Sequence, residues 1–267
     1  MAWADLVLTV AESKRLIARA VPALDLVRRA LAHGTVIVCR GSTCAYVAEE
    51  LTGRRLRKFS FVLGRVTPAG FDRDDLFDAS LPEVVLRRGQ PVEGLSLSDA
   101  LAELQAGDVV IKGANALDYR AGLAANLIGH PSGGTLGAVL GVVHGRGAHL
   151  VIPVGLEKLV AGDLLSTARR IDEAHADAAV PRLWPVRGHI VTEIEALSLL
   201  CGVDAVHVAS GGICGAEGAV WLRVFGSHQQ VAAALRVADE VHGEPSFLEA
   251  SSDAGEAEGK HNVTDAS

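Results

Sequence analysis

Apolar positions along the chain fall into short continuous runs separated by stripes of helical period. Leu16, Ile17, Ala20, Leu24, Val27 and Leu31 recur at helical spacing and predict a helix over 12–33. Pro22 interrupts that stripe, so a kink or two helices are expected, and Gly34 stands at a C-cap position. Thr35-Val36-Ile37-Val38-Cys39 is the unbroken β-branched run that suits a strand buried on both faces. Arg40-Gly41-Ser42-Thr43 follows it and leads into a helix over 43–52. The pattern returns twice. Val109-Val110-Ile111 precedes Lys112-Gly113-Ala114-Asn115-Ala116-Leu117-Asp118, and His149 to Val154 precedes Gly155-Leu156-Glu157-Lys158 and a helix to about Arg170. Between them, Phe59–Val66 and Val84–Val92 read as strands carrying an excursion. Ser98 is the expected cap of a helix ending near Gly107, and a Gly-rich segment, 129–137, leads into the apolar run Leu136–Val143.

Short apolar strands alternating with helices predict an α/β fold: a Rossmann-like parallel sheet with helices on both faces over residues 1–185. Composition shifts at Pro181–Gly188. Beyond it, strands near 186–191, 204–210, 219–226 and 245–248 and helices over 192–201 and 227–241 give the order βαββαβ, a ferredoxin-like α+β unit over 186–248. Residues 249–267 are small, polar and acidic, and are expected to be a disordered tail. Ligands of open α/β sheets bind at the carboxyl ends of the strands, so the loops holding Ser42, Asn115 and Lys158 are expected to converge on one crevice.

Charge sharpens this picture only after the tail is set aside. The chain has 25 basic and 32 acidic residues and a formal charge of −7, of which the tail carries −4. Neither value suits a nucleic-acid binder with a broad basic face. Residues 121–145 carry no charge but hold seven glycines, Asn126, His130 and Pro131, which is too broken for a membrane span. No secretory signal is recognised at the start, so a soluble cytoplasmic protein is expected. Cys39, Cys44, Cys201 and Cys214 form no CxxC pair and suit a reducing compartment; no metal site and no cofactor are expected. Lysine is scarce: Lys14 and Lys58 read as surface residues, Lys260 lies in the tail, and Lys112 and Lys158 stand at successive strand ends.

The order GTVIVCRGST, GDVVIKGANALD, HLVIPVGLEKLV resembles the superfamily of ribose-5-phosphate isomerase, glucosamine-6-phosphate deaminase and CoA transferases, over roughly residues 10–170. The GANALD segment is similar to the GAD or GAN motif of the initiation-factor-2B and methylthioribose-1-phosphate isomerase branch, and with GLEKLV to the lactate-utilisation branch. The resemblance implies a phosphate, sugar or acyl-CoA site at the strand ends. It places Gly41, Ser42 and Thr43 in the loop that contacts ligand oxygens, Gly113, Ala114 and Asn115 in the GAN motif, and Lys158 at a lysine after the later strand. Isomerases of the superfamily have Asp where this chain has Asn115, and an amide takes up no proton near neutral pH. The CoA-transferase glutamate motif is absent, and the Glu-Thr-Gly-Thr segment of the lactate-utilisation branch is replaced by Asp-Tyr-Arg-Ala-Gly.

Each candidate has a chemical and a structural reading. Gly41-Ser42-Thr43 and Gly133-Gly134-Thr135 supply N–H groups and hydroxyls at helix starts, which suits an anion; a plain helix cap is the alternative. Lys112 and Lys158 supply charge, or pair with Asp118 or Glu157. Asn115 hydrogen-bonds a sugar hydroxyl or holds a tight loop. Asp118, Glu157 and His130 are the candidates for proton transfer, and Cys44 for a nucleophile, against caps, ion pairs and core packing. The resulting expectation is a small phosphorylated or carboxylated ligand and an isomerase- or transferase-like enzyme. A non-catalytic sensor or assembly protein, or an accessory protein of redox metabolism, is the alternative. A homo-oligomer is expected in any of these.

Overall fold

A computed structural model of the chain describes residues 1–174 and 181–249. The expected disorder of the tail concerns residues almost entirely outside that range. In chain order the elements are β1 (Ala2–Leu8), α1 (Val10–Ala20), α2 (Asp25–His33), β2 (Thr35–Val38), α3 (Ser42–Thr52), β3 (Val84–Arg87), β4 (Gln90–Pro91), α4 (Leu97–Glu103), β5 (Val109–Ile111), β6 (Ala116–Asp118), β7 (Leu123–Ile128) and α5 (Gly134–Arg146). They continue with β8 (His149–Pro153), α6 (Leu164–Ala174), β9 (Arg182–Val186), β10 (His189–Val191), α7 (Glu193–Cys201), β11 (Asp204–Ser210), β12 (Val220–Gly226) and α8 (His228–Val241). No described helix is long and apolar enough to cross a membrane.

The architecture is mixed α/β. Its centre is a six-stranded sheet in the order β10-β8-β5-β2-β3-β4. β10, β8, β5 and β2 run parallel, and β3 and β4 add an antiparallel edge. Val36 to Val38, Val109 to Ile111 and Val151 are fully buried, which is why these strands read as unbroken apolar runs. Helix α1 packs against both α3 and α7, and α4 packs on α5. Pro22 sits in a 3₁₀ turn between α1 and α2, where the chain turns instead of continuing one helix.

Several expectations are corrected. Phe59–Val66 is not a strand; Lys58–Phe61 forms a 3₁₀ turn that buries Phe59 and Phe61. The cap of α4 is Ser96, not Ser98, its hydroxyl accepting from the Asp99 N–H. The segment expected as one strand near 186–191 is two, because the chain bends at Arg187-Gly188. β9 pairs with β7 in a small antiparallel sheet, β6-β7-β9, and β10 joins the central sheet. No strand forms at 245–248. The partner completing β11 and β12 is instead β1, in register from Ala2 opposite Gly226 to Leu8 opposite Val220. Leu6 and Leu8 face inward there, while Trp3, Asp5 and Val7 face out. One hydrophobic cluster runs from β1 through the central sheet to α8.

Candidate functional site

The four parallel strands end on one edge, so their following loops gather there. The β2 loop opens α3 at Ser42, with Gly41 as its N-cap in extended backbone (φ 162°, ψ 159°) and no side-chain cap. The β7 loop opens α5 at Gly134, with Gly133 as N-cap in the left-handed region (φ 81°) and again no side-chain cap. By contrast, α1, α7 and α8 each carry a full capping box, at Thr9 and Glu12, Thr192 and Glu195, and Ser227 and Gln230. The first-turn N–H groups of α3 and α5 are therefore left as donors, at helix ends that carry partial positive charge.

Both helix starts line one cavity of about 450 Å³. Gly41, Ser42, Thr43, Lys112, Gly113, Asn115, Gly133, Gly134, Thr135 and Lys158, the expected ligand-contacting residues, all line it, as does His130. Asp118 and Glu157 do not. Asp118 accepts the Ala121 N–H at 3.0 Å and so caps the β6–β7 turn. Glu157 turns away from the cavity. Its carboxylate folds over Gly155, where any Cβ would collide with Oε2, and both its oxygens are buried without a hydrogen-bond partner.

Neither Lys112 nor Lys158 forms a salt bridge among the described residues, and the expected pairing with Asp118 or Glu157 is not made. Lys158 Nζ donates to the Ala114 carbonyl at 2.8 Å. Burial pulls its ammonium below the ordinary lysine range, against the opposing field of Glu157. Its charge is thus poorly solvated, which strengthens its attraction for an anion. Asn115 is used structurally: its Oδ1 accepts the Leu127 N–H at 3.0 Å and its N–H donates to Ala125 at 2.8 Å. His130 Nδ1 lies 2.8 Å from Ser132 Oγ and accepts the Ser132 N–H, which leaves Nε2 for other partners.

Cys44 is corrected as a nucleophile. It is fully buried, its Sγ accepts the Gly113 N–H at 3.2 Å, and burial pushes its thiol up, not down. The surface placement of Lys58 and Lys14 is also corrected. Lys58 is 2% exposed, 3.0 Å from Glu49 and over the Tyr46 ring, in a buried network with Arg15. Lys14 is half-buried, and burial lowers its ammonium from 10.5 to about 8, against the field of Glu157.

Sequence reasoning missed four polar or cationic contributors. Arg40 and Arg65 line the cavity, the first bonded to Glu83 at 3.1 Å, the second to Asp74 at 2.6 Å and stacked on Phe77. Asn126 lines it from β7, and Trp184 on β9 stands beside it, opposite Asn126 in the ladder. The single polar residue in the apolar Leu123–Ile128 strand was the available signal for Asn126. Among the described residues no carboxylate lines the cavity. Comparison of the chain with protein-family models, with curated proteins and with solved structures finds no match.

Proposed function

We propose that this protein binds a small phosphorylated or carboxylated metabolite in the cavity at the ends of β2, β5 and β8. One observation carries the reading. A chain with more acids than bases has a described cavity wall with two lysines outside any described salt bridge, Lys112 and Lys158, two ion-paired arginines, Arg40 and Arg65, and no carboxylate. Two uncapped helix starts, on 11- and 13-residue helices, add N–H donors to the same space. Oriented N–H groups and an ill-solvated ammonium favour an oxyanion over water. This accords with the Rossmann-like reading of the parallel strands and with the superfamily resemblance, both of which place an anionic ligand at the strand ends.

Binding without turnover, as in a sensor, is the second reading. It is favoured because neither proposed carboxylate, Asp118 or Glu157, reaches the cavity. Proton transfer then rests on His130 alone.

The test is thermal melting and calorimetry with matched pairs: phosphorylated or carboxylated metabolites and their neutral parents. The charged members should raise Tm and the neutral ones should not. Replacing one charged donor typically removes about 1.5–3 kcal/mol, so Lys158→Met and Lys112→Met should each weaken binding about 10- to 100-fold. A Lys158→Met protein with undiminished response to every hit would sink the assignment.

A further inference from the structure

The cavity holds one group that does not suit an anion. Asn126 is 6% exposed, and its Nδ2 donates to the Gly113 carbonyl at 3.0 Å. A carbonyl only accepts, so this bond fixes the amide orientation and leaves Oδ1 as an acceptor. Oδ1 is buried and has no partner. A buried acceptor without a donor is costly, and a phosphate or carboxylate group cannot relieve it while fully ionised. A ligand hydroxyl beside the anionic group can.

Trp184 lies directly opposite Asn126 in the β7–β9 ladder, so the two side chains share a face of that sheet. The indole is 40% exposed. It rests against Gly133, where a Cβ would stand 2.7 Å from the ring, so the bare backbone at the start of α5 brings the indole next to the N–H donors. On its other side Trp184 lines a second cavity of about 570 Å³ with Pro131, Leu183 and Pro185. Asp172 and Arg182 at its margin bond to each other at 3.2 Å, so no net charge faces this space from them. The two cavities have Ile128, Gly129, His130 and Gly133 in common, so they adjoin along that wall.

We infer that the ligand is of the nucleoside monophosphate type. Its phosphate lies between the starts of α3 and α5, a sugar hydroxyl donates to Asn126 Oδ1, and its flat base stacks on Trp184. This rests on the anion-binding reading above and names the ligand class for that site. Antiparallel partners stand about 5 Å apart, which matches the step from a ribose ring to its base. Stacking of a base on an aromatic side chain is worth about a 10- to 100-fold gain in affinity.

Calorimetry on the full chain with inorganic phosphate, ribose 5-phosphate and AMP tests it. Affinity should rise at each step, with AMP about tenfold or more tighter than ribose 5-phosphate. Trp184→Leu should erase the last step and keep ribose 5-phosphate binding; Trp184→Phe should restore most of it. Asn126→Ala should narrow the gap between ribose 5-phosphate and phosphate. The chain has three tryptophans, so in a Trp3→Phe, Trp221→Phe background Trp184 is the sole indole. AMP should quench its emission and phosphate should not. Equal affinity for AMP and ribose 5-phosphate, or an AMP preference that survives Trp184→Leu, overturns the inference and leaves the anion site standing. Failure of all three probes overturns both.

Discussion

Glu193 offers the sharpest physical test of how the strand ends are built. It opens α7 just after β10 and is fully buried. Its Oε2 accepts the Leu156 N–H at 2.9 Å, while Oε1 has no partner. A carboxylate in the first turn of a helix is ordinarily favoured by the dipole, by no more than about 2 kcal/mol. Here burial wins. Desolvation, reinforced by the nearby Glu157, raises its carboxyl from 4.5 to about 7 despite the N–H donors. A carboxyl raised on folding holds its proton more tightly in the folded state. Its contribution is therefore complete below pH 4.5 and is lost as pH rises to about 7. That difference corresponds to about 3 kcal/mol. Glu193→Gln keeps a carbonyl oxygen for Leu156 and removes the charge. Its amide hydrogens inherit the unpartnered Oε1 position, which costs about 1 kcal/mol. The variant should be about 2 kcal/mol more stable than the parent at pH 8 and slightly less stable at pH 4.5. Urea unfolding at a series of pH values, with unchanged slope, measures this. Groups remote from Glu193 contribute alike to both proteins, so only the difference counts. Parallel stability curves between pH 4.5 and 7, or a less stable variant at pH 8, would refute the reasoning.

What the sequence displays best is what burial on both faces imprints on it. β2, β5 and β8 are such strands, and their end loops could be set side by side from the topology of parallel sheets alone. β1 is different: its alternation is brief, and its partner β12 lies some two hundred residues away. β7, with two alanines in its first three residues, has no β-branched signature before Ile128. Its hairpin with β6 was therefore invisible, and Asn126 showed only as the lone polar residue of an apolar run. Side-chain direction was equally hidden. Glu157 and Lys158 are neighbours in a 3₁₀ turn, and adjacency does not tell which one faces the cavity. Lys58 looked like a surface residue because the Glu49 and Tyr46 that bury it belong to another element.

The remaining predictions concern charge and backbone at the same strand ends. Lys14, lowered on folding from 10.5 to about 8, contributes stability above pH 10.5 that is lost as pH falls through about 8. Lys14→Met should abolish that rise, up to about 3 kcal/mol, so the parent's Tm should climb relative to the variant's as pH goes from about 8 to 10.5; equal shifts would contradict it. Gly133 tests the backbone that the cavity requires. It stands at φ 81°, and a Cβ there would lie 2.7 Å from the Trp184 ring and 3.0 Å from the Gly137 Cα. The left-handed conformation alone costs an L residue about 1–2 kcal/mol, and the contact forces either the indole or the start of α5 to move. Gly133→Ala should therefore lose about 2 kcal/mol or more and lose phosphate binding with it. Gly141 lies in the same helix with open space around its Cα. There alanine should add up to about 1 kcal/mol by helix propensity and leave binding intact. If the two substitutions behave alike in melting and phosphate titration, the start of α5 is not the anion cradle, because only one of them disturbs it.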